Sequence, residues 1–342
     1  MDMCTLLIWR ATDRRNYTDV CQELRDSLNN LLLDFVPSPI TLLRLLTDTR
    51  AVLSGELAIC YLLRDASIFA QTLDIYVGSV WFDTFIDTFC VSRELSGHQL
   101  SWSMIERDEE YIATRHVTDS LHISLSTGKT IIVHAASSTS ACHAIACSPS
   151  SLGTSFITEF SFATAYPRLT FNRRAIVCWD QIAQGSDSEL DMYEQLEKSG
   201  FSFEEDPVAW PDYSSKQLSL GDFSRLECLR SLYLCPQQGR YFGDEGSMMC
   251  FMDTLSVDFS WLKERCIPPY GIMAVWRLPS NVLCDAECHE FDDIIAPGVI
   301  ATSIMFQDKS FTAVTCHLPI PVKSTYVDTM LHHSGRARSV TL

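Results

Sequence analysis

Apolar residues recur at helical spacing through DVCQELRDSLNNLLLDF, from Asp19 to Phe35, until Pro37 and Pro39 interrupt the pattern. PSPITLLRLLTDT then restarts a helix, with Ser38 as N-cap and Pro39 at the first helical position, where a missing N–H costs nothing. RAVLSG reads as a short strand broken at Gly55, ELAICYLLRD as a helix, and the β-branched and aromatic TLDIYVG as a second strand. VWFDTFIDTFCV is an amphipathic helix whose Trp81, Phe82, Phe85 and Phe89 are core residues rather than a stacking platform for bases.

The period then shortens. EEYIATRHV, DSLHISLS and KTIIVHAAS read as short strands, the last two joined at Ser126-Thr127-Gly128 by a tight hairpin. STGKT is therefore a turn and not a nucleotide-binding P-loop, which needs Gly five residues before Gly128, where Ile123 stands. SSLGTSFITEFSFATAY has helical spacing, and YPRLTFNRRAIVCW is extended. Past Trp179 the chain turns acidic, in SDSELDMYEQLE and FEEDP, before the strand-like YGIMAVWRL and GVIATSIMFQDKSFTAVTCHLP and a frayed polar tail, HHSGRARSVTL. These elements predict an α/β (α+β) fold. A mixed sheet flanked by helices occupies residues 1–179, and an acidic C-terminal region of short strands and helices, 180–342, packs on it.

The order of strand, glycine turn, helix and strand in LSGELAICYLLRDASIFAQTLDIYVG resembles the nucleotidyltransferase-like, polymerase β-like core. That core carries a Gly-Ser or Gly-Gly turn and Asp-x-Asp on its second strand. Two carboxylates at i and i+2 face one side and hold Mg²⁺ with a third acid from a neighbouring strand. Here the turn is Ser54-Gly55-Glu56 and the strand reads Thr72-Leu73-Asp74-Ile75. Glu56 puts negative charge where a triphosphate would sit. Thr72 supplies no carboxylate, and no Asp or Glu lies between Asp119 and Glu159, where the hairpin should carry the third acid. That window offers only His122, Lys129, His134 and His143 as basic groups.

Four phrases in order, LSGELAICYLLRDASIFAQTLDIYV, SSLGTSFITEFSFATAYPRLTFNRRAI, CPQQGRYFGDEGSMMCF and VWRL, resemble a family of fungal proteins expanded in mushroom-forming basidiomycetes. The likeness spans most of Leu24 to Leu278. It implies a nucleotidyltransferase-like fold, from which this chain departs at Glu56 and Thr72.

Composition narrows the partners. With Lys+Arg 26 against Asp+Glu 43, the net charge of −17 excludes a broad nucleic-acid or anionic-membrane surface. The opening MDMCTLLIWRATDRR lacks the charge order of a signal peptide, and no apolar run is long enough to span a bilayer. The expectation is an intracellular protein, cytoplasmic or nuclear. Its 14 cysteines are then reduced thiols and the Asn16-Tyr17-Thr18 sequon is unused.

The leading expectation is a pseudo-nucleotidyltransferase that binds a protein partner and needs no cofactor. A second is a divergent Mg²⁺-dependent nucleotidyltransferase using Asp74 with Glu56 or Asp119. A third is a metal-independent module that binds a nucleotide or phosphate through Ser54, Gly55 and one of Arg168, Arg173 and Arg174, with Lys129 near them. Those arginines could equally pair with Asp180, Asp187 and Glu189. Cys284, Cys288 and His289 could form half of a zinc site, completed by Cys228, Cys235, Cys250 or Cys266, or simply lie in a surface turn.

Overall fold

Alternation along TLDIYVG divides the molecule into an apolar side and a polar side. The computed structural model describes residues 1–65, 67–92, 95, 101–183, 187–214, 229–235, 238–242, 244–252, 275–276, 302–307 and 310–315. Helices Met3–Arg10 (α1), Arg14–Leu32 (α2) and Pro39–Thr49 (α3) lead into strand Val52–Ser54 (β1), helix Gly55–Leu63 (α4), strand Thr72–Gly78 (β2) and helix Phe82–Val91 (α5). Strand Ser101–Glu106 (β3), helix Glu109–Arg115 (α6), strands Val117–Ser124 (β4) and Thr130–Ala136 (β5), and helix Ala141–Ala146 (α7) follow. Strands Ser155–Ile157 (β6) and Ser161–Thr164 (β7) precede the helical turn Pro167–Thr170 (α8) and strand Arg174–Ile176 (β8). Helices Trp179–Ala183 (α9) and Asp187–Lys198 (α10) precede strands Ser202–Glu204 (β9), Arg240–Tyr241 (β10), Met248–Phe251 (β11) and Val275–Trp276 (β12). Thr302–Gln307 (β13) and Ser310–Thr315 (β14) pair as a separate hairpin.

Eight strands form one mixed sheet in the order β11-β7-β6-β1-β2-β5-β4-β3. Within it β2 and β5 are parallel and every other neighbouring pair is antiparallel. Leu73, Ile75 and Val77 of β2 share a face with Ile131 and Val133 of β5 and with Leu121 and Ile123 of β4. This face packs on α2 to α5, where Leu24, Leu28, Leu46, Leu57, Phe85 and Phe89 are buried. Of the aromatic series, Phe82, Phe85 and Phe89 are core as the spacing predicts, and Trp81 is partly buried against it. Fully burying each such side chain is worth about 1.5–3 kcal/mol. On the opposite face, α7 covers Val52 and Phe156 but leaves the polar positions of β2, β4 and β5 open.

Beyond Trp179, one described strand enters this sheet, and the others form separate two-stranded pairs. β11 pairs with β7 at its edge, and β9 pairs in parallel with β8. Arg240, fully buried, joins Asp244 through two bonds (Nε to Oδ2 2.5 Å, Nη2 to Oδ1 2.9 Å). It also donates to the carbonyls of Ala165 and Tyr233 and lies over the Tyr166 ring. Asp244 Oδ1 further accepts from the Gly246 amide. A Cβ at Gly246 would meet the Tyr233 ring at 2.2 Å, so this position needs glycine. The Arg, Asp and Gly of GRYFGDEG thus form a clamp that fastens the C-terminal segment to the YPRL turn.

Three local readings are corrected. EEYIATRHV is helix α6 before it becomes strand β4, because Asp108 caps the Tyr111 amide at 2.8 Å and His116 ends the helix with a left-handed φ of 53°. SSLGTSFITEFSFATAY is not helical but supplies the β6–β7 hairpin. Thr158 and Ser161 bond each other across its turn, an alternative to helical bonding that these side chains favour. Pro167 sets a helical turn where extended chain is expected. Ser38 does precede α3 as its N-cap, though its hydroxyl pairs with Thr41 Oγ1 rather than with an amide. The Ser126–Gly128 hairpin forms, with Gly128 at φ +82°. The polar tail lies outside the described residues. Among the described residues no cysteine forms a disulfide, and no helix is long and apolar enough to cross a membrane.

Replacing one member of the buried clamp strands its partner's charge. Arg240→Met is expected to lower stability by about 3–5 kcal/mol in urea unfolding, and Arg240→Met with Asp244→Leu by clearly less.

Candidate functional site

The polar face of the sheet opens into a cleft between α6, α7 and α10. Ser54, Gly55, Thr72 and Asp74 form its floor with His122, Ile132 and His134, while Arg107, Tyr111, Arg115 and Glu189 stand at its walls. The register makes this assembly unavoidable. Ser54 lies opposite Asp74, Asp74 opposite Ile132, and Tyr76 opposite His134; on the far side His134 faces Ser120 and Ile132 faces His122. Residues directly opposite one another share a face, so every one of these side chains points the same way.

Gly55 lets the floor close. It sits at φ +66°, and a Cβ there would meet Asp74 Oδ2 at 2.2 Å. Both the backbone conformation and the contact therefore exclude a larger residue. Ser54, almost fully buried, donates its hydroxyl to the Ser155 carbonyl at 2.6 Å. That hydroxyl ties β1 to β6 and is not directed to a ligand.

Around Asp74 the hydrogen-bond donors can be assigned. Arg107 can only donate, and its Nε and Nη2 each lie 3.4 Å from Ser120 Oγ. Ser120 is then free to donate to His134 Nδ1 at 3.0 Å, which leaves the imidazole proton on Nε2, directed at Asp74 Oδ1 3.3 Å away. This tautomer follows from the network and fixes the direction of the whole chain. Tyr76 stacks on the His134 ring at 4.5 Å and holds its plane. Thr72 Oγ1 lies 3.2 Å from Asp74 Oδ2 and 3.3 Å from Glu56 Oε2, so a single hydroxyl stands between two carboxylates.

Glu56 does not occupy a phosphate seat, as its sequence position suggested. Its carboxylate turns back to accept the amides of Gln71 (2.6 Å) and Thr72 (2.9 Å), bracing the entry to β2. Burial pushes its pKa above the usual range and the charge of Asp74 adds to this, against the opposing pull of the Thr72 and Gln71 amides. Asp119 is paired in register with Ala135 and lies on the other face of the sheet from His134. Asp119 is thus turned away from Asp74, and Glu56 meets it through the shared Thr72 hydroxyl.

The remaining sequence candidates are dispersed. Arg168 is exposed, Arg173 bonds Asp65 and the Ser199 carbonyl, and Arg174 pairs with Asp212 at 2.8 Å while lying over Trp210 and Tyr213. Lys129 pairs with Asp34 at 2.6 Å. Glu189 pairs instead with Arg115 at 3.1 Å, inside the cleft. Burial raises the Glu189 pKa, Arg115 opposes that, and Asp74 adds to it. Cys284, Cys288 and His289 lie outside the described residues. No motif in the sequence marks the wall residues Arg107, Arg115 and Glu189, or Ser120, which is buried beside His134. The signal for Ser120 was the alternation of Ser120 and His122 along DSLHISLS. Arg107 and Arg115 carry no comparable local pattern.

Among the described residues, one set of three His, Cys, Asp or Glu side chains brings its ligand atoms within 4.8 Å of one another: His116, His143 and Cys147. Burial holds His143 well below the ordinary histidine pKa, at about 3, with His116 adding to the effect. Burial lowers His116 as well and raises the Cys147 thiol.

Gly55→Ala should cost at least the roughly 1–2 kcal/mol of a left-handed alanine, and more through its collision with Asp74. In an Asp74→Ala background the cost should fall toward that value. Urea midpoints of the four proteins measure the coupling, and an equal cost in both backgrounds would contradict the contact. Comparison of the chain with models of known protein families, with curated proteins and with solved structures finds no match.

Proposed function

We propose that the chain is a non-catalytic protein on a nucleotidyltransferase-like scaffold, whose cleft binds a phosphate-bearing ligand without a divalent metal. The supporting layout is the order β1, glycine turn, α4, β2, with β1 antiparallel and β5 parallel to β2. The observation that carries the reading is the chain from Arg107 through Ser120 and His134 to Asp74. Metal-assisted nucleotidyl transfer needs a cluster of carboxylate oxygens around each ion. Here both Asp74 oxygens meet donors instead, an imidazole N–H and a hydroxyl, and each competes with a cation for the same lone pairs.

The same cleft suits an anion. Among the described residues Arg107 pairs with no carboxylate; it lies over the Tyr111 ring at 4.4 Å, with its guanidinium at the cleft wall. His122 Nε2 is buried without a hydrogen-bond partner and lines the floor. Burial lowers the His122 pKa, and the neighbouring His134 and Arg107 lower it further against Asp74. A phosphate seated there would supply the missing acceptor and draw a proton onto the ring.

Thermal unfolding in EDTA with ATP, ADP or inorganic phosphate tests this reading. A ligand at about 100 times its Kd should add about 2.7 kcal/mol of stability, lost in Arg107→Ala and retained in Asp74→Asn. Stabilisation that requires Mg²⁺ and vanishes in Asp74→Ala would instead establish the transferase reading. The absence of any shift at millimolar ligand would remove the phosphate site.

A further inference from the structure

We propose that His116, His143 and Cys147 form a mononuclear site for a thiophilic transition-metal ion of the zinc type, with two imidazoles, one thiolate and one open position. The site is distinct from the Asp74 network and does not depend on the ligand proposed for the cleft.

Two segments build it. His143 lies on α7 and Cys147 is the residue that caps it, four positions later, so both side chains lie along one side of the helix. His116 comes from the opposite direction, at the left-handed end of α6 immediately before β4. The Ser137 amide donates to the His116 carbonyl at 2.8 Å, and the Ser137 hydroxyl lies 3.3 Å from His116 Nδ1. That leaves Nε2 as the ligating nitrogen and gives the ring the hydrogen-bonded second nitrogen that metal-bound imidazoles normally have. The three ligand atoms already lie within 4.8 Å of one another. Tetrahedral bonds of about 2.0–2.1 Å to nitrogen and about 2.3 Å to sulfur would draw these atoms closer together around the ion.

His143 provides the independent sign of a ligand. It is 95% buried, and neither Nδ1 nor Nε2 has a hydrogen-bond partner. A neutral imidazole always presents one N–H and one lone pair, and burying both unsatisfied is costly. Among the described residues no carboxylate acts on the ring; its neighbour is the His116 imidazole, 4.5 Å away between ring centres. An ion between the two rings explains why two neutral imidazoles are held together in an apolar setting of Val117, Ala136 and Ala144. Cys147 Sγ now donates to the His143 carbonyl at 3.0 Å; on metal uptake that proton leaves to solvent and the thiolate binds the ion. The thiolate also offsets part of the ion's charge beside Arg115. Cys147 lines the cleft and His116 is half-buried, which provides a route in for the ion and a position for a water molecule.

Cobalt(II) is the probe, since its bands report thiolate ligation and tetrahedral geometry directly. The reduced, chelator-treated full chain should bind one equivalent, with a thiolate-to-cobalt band in the near ultraviolet and intense visible d–d bands that zinc abolishes by displacement. Cys147→Ser should lose the near-ultraviolet band, and His143→Ala and His116→Ala should lose the tetrahedral spectrum. Ser137→Ala should keep the spectrum while weakening affinity about tenfold. The metal-free variants are first checked for unchanged circular dichroism; should His143→Ala fail to fold, the half-buried His116→Ala carries the test. A near-ultraviolet band that survives Cys147→Ser, a signal lost only in Cys284→Ser with Cys288→Ser, or no band at one equivalent would each overturn the proposal.

Discussion

The register of β2 against β5 is the constraint from which the rest of the site follows. Because side chains alternate across a strand, pairing Tyr76 with His134 sends Leu73, Ile75 and Val77 into the core and Thr72, Asp74 and Tyr76 into the cleft. A shift of one residue would exchange those sets, burying Asp74 against α4 and exposing the core. The apolar face thus fixes the polar one. The hydrophobic packing of α2 to α5 positions the chemistry without touching it. Gly55 adds the second condition, since only a residue without Cβ lets β1 turn into α4 directly over the Asp74 carboxylate.

On that frame, the side chains of the cleft decide what it can do. An acid-rich floor would attract divalent cations, but here an imidazole and a hydroxyl meet Asp74. In the cleft Glu189 pairs with Arg115, Asp74 accepts from the neutral His134 imidazole, and Arg107 is directed at a neutral hydroxyl. The proposed anion site is thus a local feature of a protein whose net charge is −17. This separates the global charge, which governs solubility and long-range steering, from the local field that selects a ligand.

Much of this was legible in the sequence, and the failures have physical causes. The strand, glycine turn, helix and strand from Leu53 to Gly78 form where the pattern places them, because β-branched runs, a required glycine and a leucine-rich helix all agree there. The mixed sheet flanked by helices was likewise foreseeable. Helix α6 was missed because its short EEYIATR is decided by the Asp108 cap rather than by periodicity. The β6–β7 hairpin was missed because its Ser and Thr bonds outweigh an accidental helical spacing. Glu56 was placed in the cleft because sequence locates its Cα and not the backbone amides to which it turns. Arg107, Arg115 and Glu189 come from three separate segments, so only the closed fold brings them together. The Arg240 clamp was visible only as a phrase, and packing supplies its meaning: Asp244 and the Ala165 carbonyl need that guanidinium once buried.

The central claim is that Asp74 answers to His134 and not to a metal. A crystal structure of the protein with Mn²⁺ and a non-hydrolysable nucleoside triphosphate, read by anomalous scattering, tests it most directly. The account predicts no manganese at the Asp74 carboxylate, with His134 Nε2 still within hydrogen-bond distance of Oδ1. A manganese ion bonded to Asp74 oxygen, with the His134 ring displaced, would contradict it.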